Sequence, residues 1–317
     1  MKSNSPRKTG YYVLEGVNAL ASSFFFVTAM FLLHVEHHFT DRDKLTVGAI
    51  HGLLYIPGSW YGGRFAQKYG YFASLRVGFG GMAAGIALAW AWSSLVGLMV
   101  GGVVWTFGMC FTWASLEALV SEREKPSVLA NRVGMYNVVW SLFGAVGGSV
   151  SRWVFETFGS SSLYWVPLGL HALQLILLPF LQRRHDAALA SGEEAHDLGT
   201  STAFVSAPRP RYFLKLARLA NPLAYMAINT VMVVAPTITQ RIGLSSAVGA
   251  MWASTWLWSR AAGFLVLWKW HGWHYRFGWF GGAFAALVVG FVGTMLSGAL
   301  WQFVVLQVLL GGATALI

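Results

Sequence analysis

The sequence predicts an all-α polytopic membrane protein. Ten long apolar segments run along its 317 residues, and each is close to the length of about 20 residues that a helix needs to span a bilayer. Hydrophobic residues make up 56% of the chain and charged residues 11%, whereas about a quarter of the residues of a soluble domain are charged. Because a water-soluble core cannot absorb that imbalance, we expect the lipid bilayer to surround most of the chain.

The connections between most of the segments are short, which favours consecutive helices that lie antiparallel and side by side. The predicted spans are 11–33, 46–66, 74–92, 95–119, 133–154, 162–181, 220–240, 247–268, 279–297 and 300–317.

The sixth connection is longer and polar. Residues 183–218 contain Glu193, Glu194, Asp197, Pro208 and Pro210 within a Ser/Thr/Ala-rich stretch. Such a composition cannot bury itself, so it predicts a flexible linker. The linker would separate an N-terminal half of six helices, residues 1–182, from a C-terminal half, residues 219–317, with four.

The positive charges predict the orientation of the chain. Most of the 22 Lys and Arg residues fall in the N-terminal segment, in the linker and in the loops that share their side of the membrane. By the positive-inside rule, the N-terminus and the linker are therefore cytoplasmic. We expect a multi-pass protein of a bacterial-type inner (plasma) membrane.

This arrangement resembles the major facilitator superfamily (MFS) of transporters, in which a long cytoplasmic linker joins two sets of six helices. The loop after the second span, in which Lys68 and Gly70 match, is similar to the family's signature loop, although Gln67 replaces its acidic residue and Tyr71 stands where an Arg is common. The resemblance covers the whole chain. It implies an MFS-type helical bundle of two pseudo-symmetric halves, 6 + 4 helices being present, so the last two helices are expected to be missing.

Polar residues inside apolar segments are the first candidates for a site, because a charge in the membrane is costly. Arg260 lies well inside the eighth predicted span. Trp252, Trp256, Ser259 and Gly263 share its helical face and would form an aromatic and cationic wall. Such a wall suits an anionic or hydroxyl-rich solute. The alternative is a structural ion pair or a guanidinium that reaches towards the interface.

The first and fifth spans also carry polar faces, with Glu15, Asn18 and Ser22 on one and Asn137 on the other. Asn137 would line a cavity or bridge two helices. The resemblance implies that helices 1, 4, 7 and 10 line the cavity and that helices 2, 5, 8 and 11 flank it. The predicted cavity residues are thus Asn18, Ser22, Trp105, Thr112, Asn137, Asn229, Trp256, Arg260 and Gln307.

Charged residues near the cytoplasmic ends of the spans are candidates for a gate or for ion coupling. Glu117 would pair with Arg64 or Arg132 when the cavity faces outward, or would carry a proton instead. Glu15 is the other candidate proton carrier. The predicted coupling or gate residues are Glu15, Glu117, Arg64, Lys68 and Arg132.

A group of histidines raises the question of a metal. His34, His37 and His38 have the H-x-x-H-H spacing of membrane di-iron oxygenases, and His271 and His274 form a second pair. The predicted topology places the two groups on opposite faces, about 30 Å apart. They cannot share a metal, so we expect interfacial histidines, no metal and no cofactor.

The sequence therefore predicts a secondary active transporter of a small solute that works by alternating access. It would be a monomer, with no enzymatic activity and no nucleic acid partner. A proton is the expected coupling ion of a symporter, although the residues fit a uniporter equally well. One alternative is a histidine-dependent integral membrane enzyme. Another is a transport-inactive MFS-like sensor or scaffold, which Gln67 in place of the acid keeps open.

Overall fold

The computed structural model describes residues 6–191, 210–270, 272–273 and 276–317. These ranges form helices joined by short connections and contain no β-strand. The predicted all-α fold is confirmed. The helices are α1 (Pro6–Val35), α2 (Asp41–Tyr69), α3 (Tyr71–Ala91), α4 (Leu95–Met109), α5 (Trp113–Ser121), α6 (Pro126–Phe158), α7 (Ser162–Ala190), α8 (Pro210–Arg241), α9 (Ser246–Ala253), α10 (Thr255–Lys269), α11 (Phe277–Leu296) and α12 (Leu300–Leu316).

Two of the ten predicted spans contain a break. The fourth span consists of α4 and α5, and the eighth consists of α9 and α10. At the second break the Ser254 hydroxyl donates to the Ala250 carbonyl at 3.0 Å, and the Thr255 hydroxyl donates to the Trp252 carbonyl at 2.7 Å. Hydroxyl groups that bond nearby carbonyls compete with the helical hydrogen bonds, which favours an interruption at this point.

The helices suit a membrane. Within the described residues, seven helical stretches are long and apolar enough to cross a bilayer by length and composition, with α4 and α5 counted as one stretch. Helix α12 is also apolar but has 17 residues. The protein is thus a multi-pass membrane protein, as predicted.

The predicted linker, residues 183–218, is longer than the connection between α7 and α8. Helix α7 continues through Arg183 to Ala190, and α8 begins at Pro210, so both ends of the predicted range 183–218 are helical. Residues 192–209 lie outside the described residues. The domain boundaries stay a prediction.

Glycines allow α3 and α4 to pack closely in the N-terminal half. A Cβ atom at Gly85 would lie 2.6 Å from the Gly101 carbonyl oxygen, and one at Gly108 would lie 2.5 Å from the Met82 backbone nitrogen. These separations are too short for a methyl group. The two backbones therefore approach as small residues let membrane helices do.

The two largest seams between the halves are those of α6 with α9 and α10 and of α2 with α8. Along the first, α6 packs against α9 and α10: the Trp258 indole donates to Ser149 Oγ at 2.8 Å, and the Trp268 indole donates to Asn131 Oδ1 at 2.5 Å. Asn131 lies in the second turn of α6 and Ser149 lies beyond its middle, so the two bonds are well separated along the helix. The second seam joins α2 to α8, and the hydrogen bonds that their described residues form with each other all lie near Asp41.

The predicted orientation can be tested by cysteine labelling. After Cys110→Ala, which removes the buried native thiol, we introduce single cysteines by His37→Cys, in the exposed connection after α1, and by Ser201→Cys. A membrane-impermeant maleimide added to intact cells is expected to label the first cysteine and to reach the second only after permeabilisation. The reverse pattern would contradict a cytoplasmic N-terminus.

Candidate functional site

Arg260 lies where the two halves meet, surrounded by aromatic rings. Its guanidinium carbon is 4.6 Å from the centre of the Trp140 ring, 5.2 Å from that of Phe264 and 5.6 Å from that of Tyr225. Trp140 belongs to α6 of the N-terminal half, whereas Tyr225 and Phe264 belong to α8 and α10. We call these four residues the Arg260 cage. Motion of one half against the other would change its shape.

The cage leaves the guanidinium without a counter-charge. Arg260 is 7% exposed, and its Nε and Nη1 atoms have no hydrogen-bond partner. No carboxylate of the described residues forms an ion pair with it. An unpaired charge away from water costs several kcal/mol, about 3 or more, so the predicted alternative of a structural ion pair does not apply in this conformation.

The rings around Arg260 differ from those predicted. Trp256 is 3% exposed and packs among apolar residues of the C-terminal half, while the Ser259 hydroxyl donates to the Val308 carbonyl at 2.6 Å. A Cβ atom at Gly263 would lie 2.7 Å from Ala315 Cβ. Ser259 and Gly263 thus face α12 rather than the cage. Helical spacing could have identified Phe264, four residues after Arg260, but not Trp140 or Tyr225, which lie on other helices.

Several predicted cavity residues are buried in contacts between helices. Asn18 Nδ2 donates to Thr112 Oγ1 at 3.5 Å, and both residues are fully buried. Gln307 Nε2 donates to the Trp252 carbonyl at 3.0 Å, which joins α12 to α9. Ser22 is 6% exposed, and its hydroxyl has no partner. Each of these side chains, like that of Arg260, is less than one-tenth exposed in this conformation.

The other predicted cavity residues differ in exposure. Asn229 is exposed and donates to the Tyr225 carbonyl at 2.8 Å, whereas Asn137 is half-buried. Trp105 is 3% exposed and stacks on His51 with 5.9 Å between ring centres. His51 in turn contacts Thr106 Oγ1 at 2.7 Å. The cavity roles of all nine predicted residues stay predictions.

Glu15 is a carboxylate enclosed between α1, α5 and α6. It is fully buried, and neither of its oxygens has a hydrogen-bond partner. Tyr136 and Trp113 lie close enough to interact with it, and the Trp113 indole nitrogen is also without a partner. The Trp113 ring lies 6.5 Å from the Trp140 ring, so these two indoles connect Glu15 to the Arg260 cage.

The predicted gate pair is absent in this conformation. Glu117 is exposed and forms no ion pair with the described residues, while Arg132 pairs with Glu124 at 3.1 Å. Arg64 lies over the Trp60 ring, 4.0 Å from its centre. The prediction concerned an outward-facing conformation and stays a prediction for that state.

The remaining predicted gate residue, Lys68, is exposed, with its ammonium 4.9 Å from the centre of the Tyr69 ring. It forms no ion pair with the described residues. Its part in a gate stays a prediction.

A polar cluster that the sequence did not predict closes the second seam at one end. Lys44 of α2 is fully buried, 2.9 Å from Asp41 Oδ1, and donates to Thr237 Oγ1 of α8 at 2.8 Å. Thr237 also donates to Asp41 Oδ1. We call Asp41, Lys44 and Thr237 the latch. Beside it His34 Nε2 lies 2.6 Å from Gln240 Oε1, which also joins the halves.

The described residues contain no group of three or more His, Cys, Asp and Glu side chains placed to hold a metal ion. His271 and His274 lie outside the described residues, so the second predicted pair is not part of that statement.

The fold is a polytopic helical bundle in which two helical halves meet around a cation. A family model described as Major Facilitator Superfamily matches residues 13–317. The chain therefore belongs to the major facilitator superfamily, as the resemblance implied. A comparison with curated proteins finds no match.

Solved structures share this fold. The human organic anion transporter MFSD10 (TETRAN) superposes with a TM-score of 0.65 at 14% identity, over 99% of this chain and 84% of that chain. A D-xylose–proton symporter superposes with a TM-score of 0.59 at 14% identity, over 97% of this chain and 80% of that one. The inward-open xylose transporter XylE from E. coli gives 0.58 at 12% identity, over 96% and 79%.

Proposed function

We propose that this protein is a secondary transporter that carries a small solute across the membrane by alternating access, with the solute bound between the halves at the Arg260 cage. The observation that carries the proposal is the unpaired Arg260 at the interface of the two halves. A charge that is expensive to bury and serves no internal ion pair suits a binding role. Transporters of this kind bind solute near the middle of the membrane, between the halves.

We propose further that a proton drives the transport through Glu15. Its carboxyl group is fully buried and forms no ion pair with the described residues, so taking up a proton removes the cost of burying an unpaired negative charge. A conformational change that admits water to Glu15 would release the proton. Through the contact of Trp113 with Trp140, a change in the protonation of Glu15 can alter the shape of the Arg260 cage, and solute in the cage can alter the surroundings of Glu15.

The shared fold leaves the solute open, because the superposed proteins include an organic anion transporter and a xylose–proton symporter. We propose a monomer in a bacterial-type inner membrane, with a cytoplasmic N-terminus and without enzymatic activity.

The proposal is tested by reconstitution. Purified protein in liposomes is supplied with radiolabelled hippurate or D-xylose, with and without an inward proton gradient. Uptake of one of these solutes above that of protein-free liposomes, increased by the gradient, is the expected result. Binding of hippurate or D-xylose to the protein without any uptake would contradict transport and favour a sensor.

Glu15→Gln separates binding from coupling. The amide matches the shape of a protonated carboxyl group but cannot release a proton, so the variant should still exchange solute at equal concentrations. Accumulation driven by the proton gradient should fall at least tenfold. Glu117→Gln, at an exposed carboxylate that acts electrostatically on Glu15, tests the second proton candidate. Gradient-driven accumulation by Glu15→Gln at the wild-type level would remove Glu15 from coupling.

A further inference from the structure

The Arg260 cage has a composition that selects one class of solute. The described residues include three arginines that are at least nine-tenths buried: Arg132, Arg152 and Arg260. Arg132 pairs with Glu124, and Arg152 pairs with Glu156 at 3.3 Å and with Glu36 at 3.9 Å. Arg260 differs from both because no carboxylate of the described chain neutralises it. The missing negative charge is therefore one that a ligand can bring.

The walls of the cage are aromatic. Trp140, Tyr225 and Phe264 surround the guanidinium within 5.6 Å, and Trp113 extends the aromatic surface beyond Trp140. Rings of this kind bind a flat or apolar body by dispersion and stacking. Arg260 is also the only cation of the described residues that lies over these three rings, so a second negative charge on the same ligand would find no partner there.

The same region is poorly suited to a sugar. Recognition of several hydroxyl groups needs several donors and acceptors that converge on the ligand. Three amide side chains predicted to line the cavity are bonded within the protein: Asn18 donates to Thr112, Gln307 to the Trp252 carbonyl and Asn229 to the Tyr225 carbonyl. Within the cage, the polar groups are the Arg260 guanidinium, the Trp140 indole N–H and the Tyr225 hydroxyl, of which only the hydroxyl can accept a hydrogen bond.

We infer that the solute is an organic monoanion with an aromatic or otherwise apolar body, whose anionic group is bound by Arg260 and whose body lies against Trp140, Tyr225 and Phe264. The inference rests on the proposed function, since it names the substrate class of the same site. A carboxylate would accept hydrogen bonds from the unpaired guanidinium nitrogens. Charge-assisted hydrogen bonds of this type are about twice as strong as neutral ones.

The test compares matched probes on the purified full chain in nanodiscs by calorimetry. Benzoate, benzamide and benzylamine share one ring and differ in charge, acetate keeps the charge without the ring, and D-xylose represents a neutral sugar. Benzoate should bind at least tenfold more tightly than each of the other four. Equal affinity for benzoate and benzamide, or preferential binding of D-xylose, would overturn the inference.

Substitutions of cage residues test whether the cage causes the selectivity for benzoate. Arg260→Gln should weaken benzoate binding at least 100-fold and leave benzamide binding unchanged. Trp140→Ala should reduce the preference for benzoate over acetate. Lys269→Gln removes another cation that lies over an indole ring, 3.8 Å from the centre of Trp268, and should change nothing. If Arg260→Gln does not fold, binding of benzoate to Arg260→Lys and binding of the five probes to the wild-type protein test the inference instead.

The outcomes for substrate class and for transport are separable. Benzoate selectivity without uptake of hippurate into liposomes would leave the binding site in place and contradict transport. Uptake of D-xylose that persists in Arg260→Gln would support transport and overturn the anion assignment.

Discussion

Arg260→Gln should abolish transport while the protein still folds and inserts, with a thermal midpoint equal to or above that of the wild type. The guanidinium has no internal ion pair to lose, so removing its charge relieves desolvation without leaving a carboxylate behind. Loss of the charged contact to an anionic solute should cost about 3 kcal/mol, which corresponds to about a hundredfold loss of affinity. Uptake of hippurate and thermal unfolding, measured on the same preparations, check both parts.

Arg260→Met and Arg260→Lys sharpen this prediction. The Met variant keeps much of the volume without the charge and should be as stable as Gln and as inactive. The Lys variant keeps the charge, but an ammonium cannot reproduce a planar fork of donors or stack on three rings in the same way, so it should not restore uptake. Wild-type uptake by the Gln or Met variant would show that Arg260 lies outside the binding site.

The sequence predicted the helical fold because hydrophobicity and segment length dominate in a bilayer. It also selected Arg260 correctly as a charge buried within a span, since burial of an arginine is visible in its apolar flanks. The rings around it were not predictable, because Trp140 and Tyr225 come from helices distant in the chain. The break at Ser254 separates Trp252 of α9 from Arg260 of α10. Trp256 lies in α10 with Arg260 but packs in an apolar cluster, because tertiary contacts decide which residues of one helix reach the cage.

The partners of charged residues near the membrane surface could not be predicted from the sequence. Glu117, Arg64 and Arg132 have suitable chemistry for one another, but Glu124 is closer to Arg132 and takes the pair. Lys44 lies just before the second predicted span and looks like an ordinary interfacial lysine in the sequence. Only the packing of α2 against α8 buries it completely and connects it to Thr237. Such partner choices depend on tertiary contacts that local patterns do not contain.

The two seams differ in a way that bears on alternating access. Two bonds that are well separated along α6 attach it to α10, whereas the bonds between α2 and α8 lie at one end. Towards the other end they carry exposed apolar side chains, including Ile56 and Trp60 on α2 and Leu219 on α8. We therefore expect the α6–α10 seam to act as the axis of the motion and the latch to hold one face closed. By the predicted orientation, that face is the external one.

Disrupting the latch should open that face. Thr237→Val keeps the shape of the side chain, retains the ion pair of Lys44 with Asp41 and removes the bonds that join α2 to α8. Lys44→Met removes the positive charge that α2 contributes to the latch. Hydrogen bonds to charged groups contribute about 1.5–3 kcal/mol, so each variant should shift the equilibrium between closed and open forms roughly tenfold to a hundredfold.

A cysteine at Val233 reports the opening. Val233 is 2% exposed and lies opposite Gly48 on the same seam, so Val233→Cys in the Cys110→Ala background should be labelled slowly by an external maleimide. Either latch variant should increase that rate at least tenfold. His37→Cys, already exposed, should be labelled equally in all backgrounds, and Arg42→Ala, an exposed cation two residues from Lys44, should leave Val233→Cys protected. Unchanged protection in both Thr237→Val and Lys44→Met would mean that packing alone closes this face, because the polar contacts would then contribute nothing to the balance between the two states.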